Sequence, residues 1–202
     1  MIGVSSFTFS ASRPMVNTTP FDLVLREAVV EDSLCVAVLG LQVFLDTYAT
    51  EGIRDSIARE ALEAFSQASI AGIIAQPGTF VIVAESHGHL VGFAQVALLA
   101  AHEMIDNAQA AELQRLYVQE RFTGLGVGKR LLRFAEQQAA LGGALLLWAT
   151  VWVGNDRALG FYPRMGYRLE GAPMYVLQGE EHENRLYAKR LNGFEPKDMD
   201  PQ

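Results

Sequence analysis

The stretch Thr123-Gly124-Leu125-Gly126-Val127-Gly128-Lys129 places three glycines at alternate positions and a lysine behind them. Glycines spaced this way let the backbone curl so that successive N–H groups point in one direction. A helix opening at Val127 adds the positive end of its dipole. Such a loop suits an anion, a phosphate above all; a purely structural glycine turn is the competing reading. Spacing removes two familiar alternatives. A Walker A loop needs glycine where Thr123 stands and a hydroxyl residue where Arg130 stands, and a dinucleotide fingerprint counted from Gly124 needs glycine in place of Lys129. A second group, Asn155-Asp156-Arg157-Ala158-Leu159-Gly160-Phe161-Tyr162, has helical spacing that brings Asn155, Ala158 and Tyr162 onto one face. That face fits a narrow ligand arm lying beside the helix, and otherwise Tyr162 is a core tyrosine. Glu112, just before an apolar strand, is either a solvated carboxylate or one whose pKa is raised toward a base's working range.

These residues need a strand at Leu113–Val118, a helix at Val127–Leu141 with Leu131, Leu132, Ala135 and Ala139 on one stripe, and a short helix at Asn155–Met165. Upstream, Leu23–Glu27 alternates as a strand. Leu34, Val38, Leu41 and Leu45 mark a first helix, and Ile53–Phe65, continued toward Ala75, marks a second. Thr79–Glu85 and His89–Leu99 read as a hairpin around Ser86-His87-Gly88, with the two histidines exposed at its tip and not metal ligands. Ala144–Val153 is nearly all apolar, as in a central strand covered on both faces. Strands at Gly166–Leu177 and Glu183–Leu191 complete an α/β order with a mixed sheet of six to seven strands and about four helices. One domain over 23–191 is expected, after a Ser/Thr-rich disordered extension (1–22, with Met15 an alternative start) and before a flexible tail (192–202).

The glycine loop resembles the pyrophosphate loop of the GCN5-related N-acetyltransferases (GNAT superfamily), with Thr123 in place of the usual Gln or Arg. Asn155–Tyr167 matches the superfamily pattern Asn-x-x-Ala-x-x-Phe-Tyr-x-x-x-Gly-[Phe/Tyr] at every named position. The resemblance covers about Leu23 to Leu191 and implies acetyl-CoA as cosubstrate, held by Thr123, Gly124, Gly126, Val127, Gly128 and Lys129, by the backbones of Leu116, Tyr117 and Val118, and by Asn155 and Phe161. It implies Tyr162 as the acid that protonates the CoA sulfur and Glu112 as a candidate base, with His102 and Glu103 as weaker ones. A strand bulge near Val118 is implied as well. Phe44–Tyr48, Leu113–Val118 and Tyr175–Glu181 resemble the PaiA-type spermidine/spermine acetyltransferase branch, which implies a small cationic amine such as a polyamine as acceptor. A protein N-terminus or lysine is the alternative acceptor, and a non-catalytic acyl-CoA-binding module the alternative role.

Composition agrees. With 202 residues, half of them hydrophobic, the chain can bury one substantial core. A net charge of −7 and a pI near 5.1 supply no basic face for nucleic acid and favour a cationic substrate. The single cysteine, Cys35, excludes an internal disulfide and is expected to be buried on a helix face. No apolar run is long enough to span a membrane. A cytoplasmic enzyme without a metal, acting on a small-molecule amine and able to form a homodimer, is the expectation.

Overall fold

A computed structural model describes residues 22–177 and 179–191. The expectations for residues 1–21 and 192–202 lie outside the described residues. The chain runs β1 (Val24–Glu27), α1 (Ser33–Tyr48), α2 (Asp55–Ala64), α3 (Gln67–Ile74), β2 (Thr79–Ser86), β3 (His89–Ala97), β4 (Ala110–Val118), α4 (Val127–Leu141), β5 (Leu146–Trp152), α5 (Asp156–Arg164), β6 (Arg168–Gly171), β7 (Met174–Leu177) and β8 (Glu180–Arg190). The strands form one mixed sheet in the order β1-β2-β3-β4-β5-β8-β6, with β7 also paired to β8. One strand and one helix more than the sequence suggests arise from two breaks. Ser66 accepts the Ser69 N–H at 3.1 Å and caps a new helix, which divides Ile53–Ala75 into α2 and α3. Ala172-Pro173 divides β6 from β7, because proline has no N–H to give the ladder.

Helix α4 covers one face of β2, β3 and β4, with Leu131, Leu132, Ala135 and Ala139 buried as their spacing predicts. Helices α1 and α3 cover the other face, where Val36, Leu39 and Phe44 meet Val81, Val83 and Phe93. The predicted α1 stripe is displaced: Leu34 and Val38 are exposed, and so is Cys35, contrary to the expectation that it is buried. This helix is apolar on nearly every side, so periodicity finds the helix without choosing its face. Strand β5 is central, between β4 and β8.

Two irregularities shape the sheet around one opening. In β4, Arg115 pairs with Gln95 but Leu113 pairs with Val96, so Gln114 is an extra residue, a bulge. Side chains of a straight strand alternate, which would separate Glu112 from Arg115; the bulge puts Glu112, Arg115 and Tyr117 on one face. In addition, β4 and β5 pair in parallel only from Ala110↔Leu146 to Glu112↔Trp148 and then diverge. At the same end Gly92 packs against β4 so closely that a Cβ would stand 2.7 Å from the Tyr117 carbonyl oxygen.

Candidate active site

Beyond Glu112 the β5-facing edge of β4 has no ladder partner among the described residues. Gln119 donates its N–H to Val91 O at 3.0 Å, and Tyr117 is paired with Phe93, so alternation turns the N–H groups of Leu116 and Val118 toward the opening. Tyr117 therefore departs from the expectation that groups it with them: its backbone belongs to the β3 ladder, and its side chain lies with Phe65 and Phe93. The opening leads to the glycine loop. Gly124 and Gly126 take φ of +77° and +85°, left-handed values that glycine adopts without penalty, and a Cβ on either would meet nothing within 4 Å. Gly126 is the N-cap of α4, and no side chain caps that helix, so its first N–H groups point into open space. Val127 contributes only backbone here, since its side chain is in the core, and Lys129 is exposed. Thr123 uses its hydroxyl to donate to Glu120 O at 2.8 Å. A Cβ at Gly128 would lie 3.8 Å from Val118 and 4.0 Å from Phe161, so loop, strand end and α5 converge. Open space, uncapped amides and an exposed lysine fit a diphosphate.

Asn155 caps α5 by accepting the Ala158 N–H at 3.0 Å, which occupies the side-chain oxygen expected to face a ligand. Tyr162 is 6% exposed, stacks on Tyr187 at 5.8 Å between centroids, and meets Phe161 and Tyr167 edge-on. Burial, reinforced by the nearby Tyr48, pushes its phenol well above the usual tyrosine range. No group among the described residues hydrogen-bonds its hydroxyl. The phenol therefore keeps its proton at neutral pH.

On the other side of the opening is a cavity of about 870 Å³. Helices α1 and α2 form part of its wall, and Tyr175, His182 and Asn184 of the β7–β8 hairpin complete it. Phe44, Tyr48, Phe65 and Trp152 supply aromatic walls. Glu112 lines the floor at the head of a polar relay. Arg115 donates to Gln95 Oε1, Gln95 Nε2 donates to Gln114 Oε1 at 2.5 Å, and Gln114 Nε2 donates to Glu112 Oε2 at 3.2 Å. Burial raises the Glu112 pKa, and the Gln114 bond, His102 and Arg115 only partly offset it. His102 stands beside Trp148, the ladder neighbour of Glu112, without lining the cavity. At the rim Arg54 donates to Glu180 Oε1 at 2.6 Å and also to its second oxygen, joining the α1–α2 connection to β8.

The acetyltransferase (GNAT) family model matches residues 45–167, more than half of the chain, from the last turn of α1 through α5. The chain belongs to the GNAT family. An uncharacterised N-acetyltransferase from the pepI 3′ region of Lactobacillus delbrueckii subsp. lactis is 25% identical over 153 residues, 76% of this chain and 88% of that one. The spermine/spermidine N(1)-acetyltransferase of Bacillus subtilis is 29% identical over 85 residues, 42% of this chain and 56% of that one. The crystal structure of PaiA N-acetyltransferase from Thermoplasma acidophilum in complex with coenzyme A superposes with a TM-score of 0.67 at 21% identity, covering 84% of this chain and 99% of that one. As a GNAT member the protein is an acetyl-CoA-dependent N-acetyltransferase, and the mixed sheet with helices on both faces is the GNAT fold.

The candidate site thus brings the glycine loop, Leu116, Val118 and α5, all singled out from the sequence, close to cavity residues that were not. Arg115, Gln95, Tyr48 and His182 come from segments distant in the chain; the one local signal was a glutamine and an arginine within otherwise apolar strands. Among the described residues no group of three or more His, Cys, Asp or Glu side chains could hold a metal ion. No described helix is long and apolar enough to cross a membrane.

Proposed function

We propose that this enzyme transfers the acetyl group of acetyl-CoA directly to a small cationic primary amine bound in the cavity beside Glu112. The observation that carries this reading is the opening between β4 and β5, which lies between a glycine loop with uncapped amides on one side and a half-open cavity lined by Glu51, Glu60 and Glu112 on the other. The diphosphate rests on the amides from Gly126 onward, and the Leu116 and Val118 backbones pair with the pantetheine arm. One of their N–H groups stabilises the oxyanion formed when the amine nitrogen attacks the thioester carbon. As the new C–N bond forms and the C–S bond breaks, the Tyr162 hydroxyl gives its proton to the leaving sulfur. Glu112, with its raised pKa, takes the proton that the ammonium loses before attack, and the second proton that the nitrogen sheds on becoming an amide returns to the Tyr162 oxygen, each directly or through water.

A polyamine is one acceptor of this kind. The activity in the name of the Bacillus subtilis relative, the likeness to the PaiA structure and the carboxylates Glu51, Glu60 and Glu112 around the cavity support it. CoA thiol release with acetyl-CoA and a panel of polyamines, amino acids and peptides tests the assignment: turnover of small amines is expected, and turnover of peptides alone would defeat it.

A further inference from the structure

We propose that the acceptor carries an anionic group, a carboxylate, in addition to its cationic amine, and that Arg115 binds that group. The proposal rests on the reading of the cavity as the acceptor site and narrows it. Arg115 lies on the cavity floor, half-buried, with its guanidinium 5.0 Å from the centre of the Phe65 ring. One N–H group goes to Gln95, which is itself 5% exposed and anchored by Gln114. No carboxylate among the described residues comes within ion-pair distance of it. By contrast Arg26, Arg54, Arg59, Arg157 and Arg185, most of them more exposed, each hold an acid.

A guanidinium taken partly out of water is costly unless its donors and charge are matched. Here Gln95 and the Phe65 ring fix the plane of the group, and its other N–H donors meet no acceptor among the described residues, which is the geometry that takes a carboxylate with two parallel hydrogen bonds. Its charge is not spent on Glu112 either. Arg115 is the weakest influence on that carboxylate, and burial prevails to raise the pKa. The same cavity offers the negative charge of Glu51 and Glu112 to an ammonium group. A zwitterionic or diamino acid ligand satisfies both signs, whereas a pure polycation meets the Arg115 charge.

Matched pairs that differ only by the carboxylate test this: lysine against cadaverine, and ornithine against putrescine. For each, kcat/KM is measured by thiol release, and Kd is measured by calorimetry on the CoA-saturated protein, in the parent, Arg115→Gln and Arg115→Lys. The carboxylated member of each pair should be favoured by about 10- to 100-fold, chiefly through KM and Kd. Arg115→Gln should bring the ratio close to one, with Arg115→Lys between. A structural role for Arg115, or one confined to tuning Glu112, would alter both members of a pair alike and leave the ratio standing. Equal or better binding of the diamines by the parent, binding of neither member, or a ratio that survives Arg115→Gln would overturn the proposal. Preferential binding of the amino acids without acetylation would uphold it while defeating the transfer reaction proposed above.

Discussion

Replacing Gly126 with valine should weaken CoA binding far more than replacing Thr123 with alanine. At φ +85°, Gly126 occupies a region that costs an L-residue about 1–2 kcal/mol, and a β-branched residue more. A Cβ there meets nothing within 4 Å, so the penalty is conformational and not a clash. The exposed loop can relieve it only by rotating the peptide, which takes the first α4 amides off their common focus. If the strain alone passes into binding, Kd rises by about 5- to 30-fold. Each charge-assisted hydrogen bond lost adds about 1.5–3 kcal/mol. Thr123 presents a different balance, because its hydroxyl is already engaged with Glu120 O at 2.8 Å. Its removal should change Kd by less than about threefold, the effect of well under 1 kcal/mol. Isothermal titration with CoA, alongside thermal melting to show that each variant is folded, reads both effects. A larger loss in Thr123→Ala than in Gly126→Val, or an unchanged Kd in folded Gly126→Val, would refute the backbone cradle.

Glu112→Gln should remove the acidic limb of the kcat/KM profile, and in the parent that limb should lie above the usual carboxylate range, because burial raises the pKa. The sign for stability is opposite to that of an ion-paired acid: a folded-state pKa above the unfolded one makes the native state less stable as pH rises through that interval. Glu112→Gln should therefore melt higher than the parent at neutral pH, and a lower melting temperature would contradict the placement. Gly92→Ala should destabilise the protein by about 1–3 kcal/mol in urea titration, since the new Cβ stands 2.7 Å from the Tyr117 carbonyl oxygen and must push β3 from β4. Asp32→Asn should cost about 1–2 kcal/mol, since that carboxylate accepts both from Arg26 and from the Val29 N–H, at the start of the 3-10 turn that precedes α1. Arg26 holds the Asp32 pKa down, so in the parent this contribution is present at neutral pH and lost as pH falls through the depressed value.

What could be read in the sequence was local. The glycine spacing of 123–129, the apolar run of β5 and the Asn155–Tyr167 pattern each specify a conformation within a few residues, and each occupies the predicted element. Side-chain direction was less legible. Nothing in Leu113–Val118 signals that Gln114 is an extra residue, yet this bulge decides that Glu112 faces the cavity while Val118 faces the loop. The cavity was the least legible part, because α1, α2, β4 and the β7–β8 hairpin meet only through the sheet order. Asn155 shows a subtler limit, in that the helix whose face it should share takes its oxygen as a cap.

The claim that acetyl transfer takes place where β4 and β5 part, with Tyr162 as the acid, is tested most directly by comparing Tyr162→Phe with the parent at saturating acetyl-CoA and amine. A fall in kcat of about 10²–10⁴ is predicted, with the Kd for CoA changed by no more than about threefold, because the hydroxyl acts on the leaving sulfur and not on the ground state. A Tyr162→Phe enzyme that binds CoA normally and turns over as fast as the parent would contradict the account.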